Sequence, residues 1–442
     1  MAVKQRPIER VSIIDIDHQG RGVAKLNGKT CFVPGALTGE LVDVRRIKRL
    51  ARFDEAELVE IVEASAQRVT PRCAHFGRCG GCTWQHVPLE QQLAFKQAAL
   101  SRELQALAQC QPKQWLEPIV GEPWHYRRKA RLGVKLLPKS GRAIIGFRER
   151  NSAHLANVRQ CPVLVKPLSE LCDPLGAMIG SLSIATAVPQ LEVAAGDERV
   201  ILIMRVLAEP TASDRQILSA FAEQYGIEFW LQPKGPDSVV PLTGVALTPL
   251  RYQLPEFGLS FEFTPLDFVQ VNARVNERLV SQALTQLQLA PEHSVVDFFC
   301  GLGNFTLPIA QRVQQVIGVE GDGVLIQRAQ ATAHRHGIEN ARFEQADLFS
   351  PLGQESWLRQ RVDRVLLDPP RAGAKELIPF FKRLKPQRVV YVSCHPGTLA
   401  RDVGLLRAEG YALTACGILD MFSHTAHIES MAVLERSVAS AD

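Results

Sequence analysis

The tightest limit on the fold comes from residues 389–397, Val-Val-Tyr-Val-Ser-Cys-His-Pro-Gly. The β-branched and aromatic residues make a buried strand, Cys394 closes it, and Pro396 is suited to begin a helix. Residues 363–371, Asp-Arg-Val-Leu-Leu-Asp-Pro-Pro-Arg, repeat the form, an apolar strand delivering Asp368 into a proline turn. Neighbouring strands of this kind belong to an open α/β sheet, which binds ligands beyond the carboxyl ends of its strands. Cys394 and Asp368 would then share one rim. The positive end of a helix dipole beside Cys394 favours thiolate over thiol. A lone strand-end cysteine is ordinarily a small buried hydrophobe, so the pattern around it has to decide.

From about residue 292 the chain alternates strand and helix, the mark of a doubly wound parallel sheet. Residues 295–300 form the first strand, carrying Asp297, and Gly301-Leu-Gly-Asn-Phe-Thr306 the turn after it. Strand 316–319 leads to Glu320, an acid placed to hold ribose hydroxyls, and strand 341–346 to Asp347, suited to an adenine edge. The dinucleotide fingerprint G-x-G-x-x-G is broken, because Thr306 stands where its third glycine belongs. A cofactor without a pyrophosphate fits better, and S-adenosylmethionine is the obvious one.

Residues 6–64 hold five short strand-like runs separated by glycine turns, which predicts a small antiparallel barrel of OB type. Arg45, Arg46, Lys48, Arg49 and Arg52 fall between its last two strands, where they would line a groove for a nucleic-acid backbone. Next come Cys73, Cys79 and Cys82 with Gly80-Gly81 between the last two, and far downstream Cys161 followed by proline. Four thiolates fit either Zn²⁺ or an iron–sulfur cluster; three close cysteines with a remote Cys-Pro favour [4Fe–4S]. Residues 89–109 have helical spacing through Leu89, Leu93, Leu100, Leu104 and Leu107, and this helix is a candidate to pack on the C-terminal unit. Residues 124–265 read mostly as β, opening on a basic strand (Arg127, Arg128, Lys129, Arg131) fit to face RNA phosphates. The implied domains are 6–64, 65–265 and 266–442.

Charge agrees with a polyanionic partner. Of the net +5, residues 1–52 hold 11 Lys/Arg against 5 Asp/Glu, and residues 127–150 hold 9 against 1. No apolar run approaches the roughly 18 residues of a membrane helix, and the N-terminus lacks the apolar core of a signal peptide. A cytoplasmic protein with no membrane partner and no obligate protein partner is expected, in which the ten cysteines are not disulfides.

Residues 297–308, 367–373, Val392-Ser393-Cys394 and His427-Ile428-Glu429-Ser430, with the barrel and the cysteine cluster, resemble the RNA 5-methyluridine methyltransferase family over essentially the whole chain. The resemblance implies a class I S-adenosylmethionine-dependent fold, an N-terminal TRAM barrel and a β-rich central iron–sulfur domain. It implies Cys394 as nucleophile and Glu429 as base, with Gln270, Phe299, Asn304, Glu320, Asp347 and Asp368 around cofactor and target base. Cys73, Cys79, Cys82 and Cys161 would ligate the cluster. Barrel plus cluster resembles the members acting on 23S rRNA, at the uridine conventionally numbered 1939. One departure is His395, where the family usually has Asn.

These residue types suit the chemistry. C5 of uracil is a poor nucleophile until a thiolate adds at C6, and the C5 proton must then leave to a base before the enzyme can depart. On residue type alone, Glu429 would ordinarily be a salt-bridged edge residue, with His395, His424 and His427 as rival bases. Asp368 would accept the uracil N3–H or cap a helix. A 5-methylcytosine enzyme would carry Pro-Cys where Asp368-Pro369-Pro370-Arg371 stands, and an amino-methylating enzyme an aromatic in place of Arg371. A non-catalytic RNA-binding assembly factor would leave Cys394 idle.

Overall fold

A computed structural model describes residues 6–437 apart from 18, 151, 245–247, 351, 352 and 354. Its largest element is an eight-stranded sheet. Counting from Ser294–Phe298 as the first of seven strands, the order is 3-2-1-4-5-7-6, and a two-residue strand, Gln114–Trp115, adds beside strand 6. The first five run parallel, and the last, Glu429–Arg436, enters antiparallel between Arg388–Ser393 and Tyr411–Leu419.

Alternation along each strand splits its apolar residues between two buried layers. Leu366, Val390, Val392 and Val433 face the helices Ala273–Leu287 and Gly323–Arg335. Val365, Leu367, Val389, Tyr391 and Leu434 face Leu89–Glu103 and Pro396–Ala408. The hairpin Leu250–Leu254 and Leu259–Phe263 contributes its buried residues to the first layer.

The N-terminal barrel is closed by five strands, Ile8–Ile16, Arg21–Leu26, Lys29–Pro34, Leu41–Arg49 and Phe53–Glu63. It is not wholly antiparallel, because the third and fifth strands pair in parallel to close it. Arg45, Arg46, Lys48 and Arg49 lie within the fourth strand rather than in a loop, and three are already paired. Arg46 bonds Glu9 and Asp54, Lys48 meets Glu55 at 3.0 Å and Arg45 meets Glu57 at 3.7 Å.

The central region is a six-stranded sheet, but it also carries the helices Cys172–Ser181 and Ala212–Tyr225, which a mostly-β reading missed. The basic strand is not a free phosphate surface either. Arg128 is buried against Asp197 at 2.9 Å, and the Lys129 ammonium donates to the carbonyls of Pro265 and Asp267. Arg131, exposed, pairs with Glu192 at 3.0 Å.

Barrel, cysteine loop, N-terminal helix and C-terminal sheet meet at Trp84. Its indole N–H donates to the Gly20 carbonyl at 3.2 Å, and Ile16, Leu37, Val87, Phe95 and Ala426 pack around it. Gly20 has φ +77°, and a Cβ there would stand 2.2 Å from the indole nitrogen. Gly20→Ala is therefore expected to cost about 1–2 kcal/mol in backbone strain alone and to push the barrel off Trp84. Thermal unfolding together with limited proteolysis near residue 65 checks this; unchanged values would show that the contact is dispensable.

Candidate active site

Register brings the thiol and the carboxyl together. Ser393 pairs with Ser430 across the antiparallel ladder, so Cys394 and Glu429, the next residues outward, emerge at the same rim. Asp368, just past the end of the adjacent parallel strand, completes the group, and Arg371 follows the proline turn. Glu429 is 8% exposed, lies inside the sheet rather than at its edge, and its carboxyl has no hydrogen bond or ion pair among the described residues.

Burial dominates the electrostatics here, since desolvation disfavours each charged form. It raises Glu429 to about 8, helped by Asp368 and opposed by Lys96 and Arg371. Burial alone raises Asp368 to about 7, although part of its surface stays accessible to solvent. Cys394 is also pushed up, by burial and then by Glu429 and Asp368, with Arg371 opposing. The expectation of a helix-lowered thiol is therefore reversed in the free protein. Partial burial, and then two nearby carboxyls, outweigh a dipole that acts only within the first turn.

That helix, Pro396–Ala408, is capped by His395, whose Nδ1 accepts the Thr398 N–H at 3.2 Å. An Asn side chain does the same work, which accounts for the departure at this position. Asp368 caps nothing: no helix begins directly after it, the next starting at Ile378, and its carboxylate has no hydrogen bond among the described residues. His424 is buried, stacks on Trp124 at 4.0 Å and is pushed down to about 4 by burial, so it stays neutral. His427 is also lowered by burial, then by Arg371, Lys96 and Arg127.

A second group surrounds the glycine turn after the first strand. Phe299 adopts φ +64°, a costly conformation for an aromatic, and its ring meets Phe349 at 5.6 Å. Glu320 accepts the N–H groups of Gly301, Gly321 and Asp322. Asn304 is engaged three times, with Tyr252 at 3.1 Å and Asn276 at 3.0 and 2.9 Å, so it holds the turn in place. Asp297 lies fully buried beneath, raised to about 8 by burial, bonded to Thr306 at 2.5 Å through one oxygen only. Asp347 is exposed, its carboxylate tied to Phe349 N–H and Ser350. Gln270 is half-buried on the segment leading to Asn272, which caps the helix Ala273–Leu287.

Cys73, Cys79, Cys82 and Cys161 line one narrow cavity with Phe76, Phe147 and Val163. Gly80 and Gly81 let the loop close, since a Cβ at Gly80 would stand 2.8 Å from the Arg148 carbonyl and one at Gly81 3.3 Å from the Phe147 ring. Burial pushes Cys79 up and Cys82 to about 11, and Cys161 higher still. Such thiols are protonated and inert unless a metal displaces their protons. Among the described residues no three His, Cys, Asp or Glu side chains are gathered tightly enough to hold a single metal ion.

The residue that pattern reading missed is Lys96, fully buried at 2.7 Å from Asp420. Its signal was legible: Lys96 stands between Gln92 and Leu100 at a spacing of four, on the inward stripe of the helix.

Comparisons with known proteins agree with this arrangement. The model of the tRNA (Uracil-5-)-methyltransferase family matches residues 253–437, and that of the TRAM domain residues 3–59. A 23S rRNA (uracil(1939)-C(5))-methyltransferase RlmD of Stenotrophomonas maltophilia is 44% identical over 431 residues, 97% of each chain. One of Bordetella parapertussis is 45% identical over 97% of this chain and 93% of its own. The crystal structure of Pyrococcus abyssi tRNA (uracil-54, C5)-methyltransferase in complex with S-adenosyl-L-homocysteine superposes with a TM-score of 0.73 at 25% identity, over 96% of this chain and all of that one. A barrel of the TRAM type, a 3-2-1-4-5-7-6 sheet and these similarities have one meaning: the chain belongs to the RNA 5-methyluridine methyltransferase family.

Proposed function

We propose that this protein methylates C5 of uridine 1939 in 23S rRNA, with S-adenosylmethionine as methyl donor. The observation that carries the reading is the convergence of Cys394, Glu429 and Asp368 at one sheet rim, beside a glycine turn fit for the donor. In this reading the Cys394 thiolate adds to C6, and the ring's electrons move to C5 and the O4 enolate. C5 takes the methyl carbon from the sulfonium, and S-adenosylhomocysteine leaves. The Glu429 carboxylate removes the C5 proton, and the C6–S bond breaks to return the thiolate. Asp368 accepts the uracil N3–H. Glu320 and Asp347 hold the donor's ribose and adenine, with Phe299 and Gln270 bordering the site and Asn304 holding its turn.

The target base must leave its RNA stack first, at a cost of roughly a few kcal/mol. A cleft of about 870 Å³ is suited to supply compensating contacts, for it is lined by Arg72, Arg78, Arg159 and Lys166. Arg72 also lies over Trp124, which stacks on His424 in the segment leading to Glu429. As a three-domain enzyme, 6–64 supplies RNA affinity, 65–265 shapes the RNA, and 266–442 performs the chemistry, all in the cytoplasm where rRNA is made.

The four-cysteine cavity fits an iron–sulfur centre by donor chemistry: Cys161 is buried, Cys73, Cys79 and Cys82 are half-buried, His75 on the same wall is engaged by the Arg159 N–H, and glycines let the loop wrap. Thiolates on one zinc lie about 3.8 Å apart, from Zn–S bonds of about 2.3 Å, whereas a cubane cluster spreads its ligands more widely. Cys73, Cys79, Cys82 and Cys161 would hold it, and when bound it would tie the loop to the central sheet.

Cys394→Ala is expected to abolish methyl transfer and tritium release from [5-³H]uridine RNA, and persistent release would exclude covalent catalysis. Glu429 and Cys394 are both raised by burial, so the reactive ionised forms grow with pH. In wild type kcat/KM should therefore climb through pH 8 rather than level off near 5. Replacing Arg72, Arg159 and Lys166 by Ala should weaken RNA binding and lower the slope of log K against log salt by about three, about one per phosphate contact. Anaerobic reconstitution should give four irons and a visible absorption band that Cys161→Ser loses; stoichiometric zinc with full activity would remove the cluster from the reading.

A further inference from the structure

The helix Leu89–Glu103 lies far upstream of the rim residues, yet it reaches the loop that delivers Glu429. Two of its inward side chains do this, one turn apart. Gln92 donates to the Trp84 and Val87 carbonyls at 3.1 and 2.8 Å and accepts the His424 N–H at 2.9 Å. Lys96 donates to Asp420 at 2.7 Å and to the Phe422 carbonyl at 3.1 Å. The other Asp420 oxygen accepts the Ser423 hydroxyl at 2.6 Å, and Tyr126 donates to the Ser423 carbonyl at 3.1 Å. His424 itself is held at φ +65°, a conformation that only such over-determination maintains. Residues 420–428 are thereby pinned immediately before Glu429.

A lysine with no exposed surface is costly, and a buried ion pair is seldom worth more to stability than apolar packing. Its placement suggests another use. The charged and titratable groups acting on Glu429 are Asp368 from the fourth strand, Arg371 from the proline turn, Cys394 from the fifth strand and Lys96 from the helix. On its own segment the neighbours are Asp420, already paired with Lys96, and His427, which Arg127 also influences. Lys96 and Arg371 are the positive charges acting on Glu429, and of the two only Lys96 is fully buried. Low dielectric strengthens such a charge, and the Asp420 carboxylate 2.7 Å away offsets part of it.

We propose that Lys96 is a positioning residue for the base: clamped by Asp420, it fixes the approach of residues 420–428 and supplies a buried positive charge that favours the Glu429 carboxylate against burial. This rests on the reading of Glu429 as the base. Lys96 acts on Glu429 and on His427, the two titratable groups on either side of Ile428.

The test uses the full-length protein and the double variant Lys96→Met/Asp420→Asn, which removes both charges together and keeps an acceptor for Ser423. Thermal unfolding and S-adenosylmethionine binding should stay close to wild type. The acid limb of tritium release from [5-³H]uridine RNA should move up by about one pH unit, lowering the rate at pH 7 about tenfold. Lys96→Arg, which retains the charge, should leave the limb in place. Should the double variant not fold, Lys96→Gln keeps a donor toward Asp420 and is read in the same way. A folded variant whose acid limb stays where wild type has it, whether or not its rate falls, overturns the proposal. Glu429→Gln run alongside separates the two ideas. If it releases tritium like wild type, the base reading falls; if it is inactive while the Lys96 variants keep the wild-type limb, only the role of Lys96 falls.

Discussion

The antiparallel entry of Glu429–Arg436 into a parallel sheet is the constraint on which the candidate site depends. A parallel strand in that slot would present its carboxyl end beside Cys394 and its amino end at the opposite rim of the sheet. Reversal instead brings the start of the strand to the rim where the other strands finish, so the first residue of one strand meets the residue just after the other. The backbone ladder sets this placement, with Ser393 opposite Ser430. A slip by one residue would turn Glu429 to the other face of the sheet.

Gathering acids in a half-closed rim has an electrostatic consequence. Asp297, Asp368 and Glu429 are each raised from the ordinary carboxylate range chiefly by burial, and Glu429 and Asp297 are raised further by Asp368. For an acid whose folded pKa lies above its unfolded value, folding binds a proton. Its contribution to stability is present below the unfolded value and is lost as pH rises through the folded one. For these groups the window runs from about pH 4 to about 8, so the site is least comfortable where its ionised forms are most reactive. The surrounding structure holds the site against this cost. Apolar layers on both faces of the sheet and the Trp84 junction leave the rim little room to relax.

Legibility differed from residue to residue. Strands ending on Asp368 and Cys394 were plain because a buried parallel strand is a continuous apolar run and its end is marked by a polar residue and a turn. The basic segments were read as free surface throughout, which fails for part of them because composition counts charges without their partners. Arg46 is occupied by Glu9 and Asp54, and Arg128 by Asp197, all distant or unpatterned in sequence. The helices Cys172–Ser181 and Ala212–Tyr225 escaped because they lie between strong strands, although the second carries 14 residues and a Thr211/Asp214 capping box. Lys96 was passed over because a lysine in a helix is ordinarily solvated, and its partner lies 324 residues away.

By itself the sequence determined the order of strands and turns, the residues standing at their ends, and the family to which such a pattern belongs. These follow from local rules: alternation, helical spacing and the backbone demands of glycine and proline. Only the tertiary structure decided which ends meet, which charges are neutralised and which way each acid and thiol shifts. Those depend on burial and on distances between residues far apart in the chain. The helix dipole that a reader of the sequence assigns to Cys394 acts only locally, and burial, helped by two carboxyls brought by other strands, outweighs it.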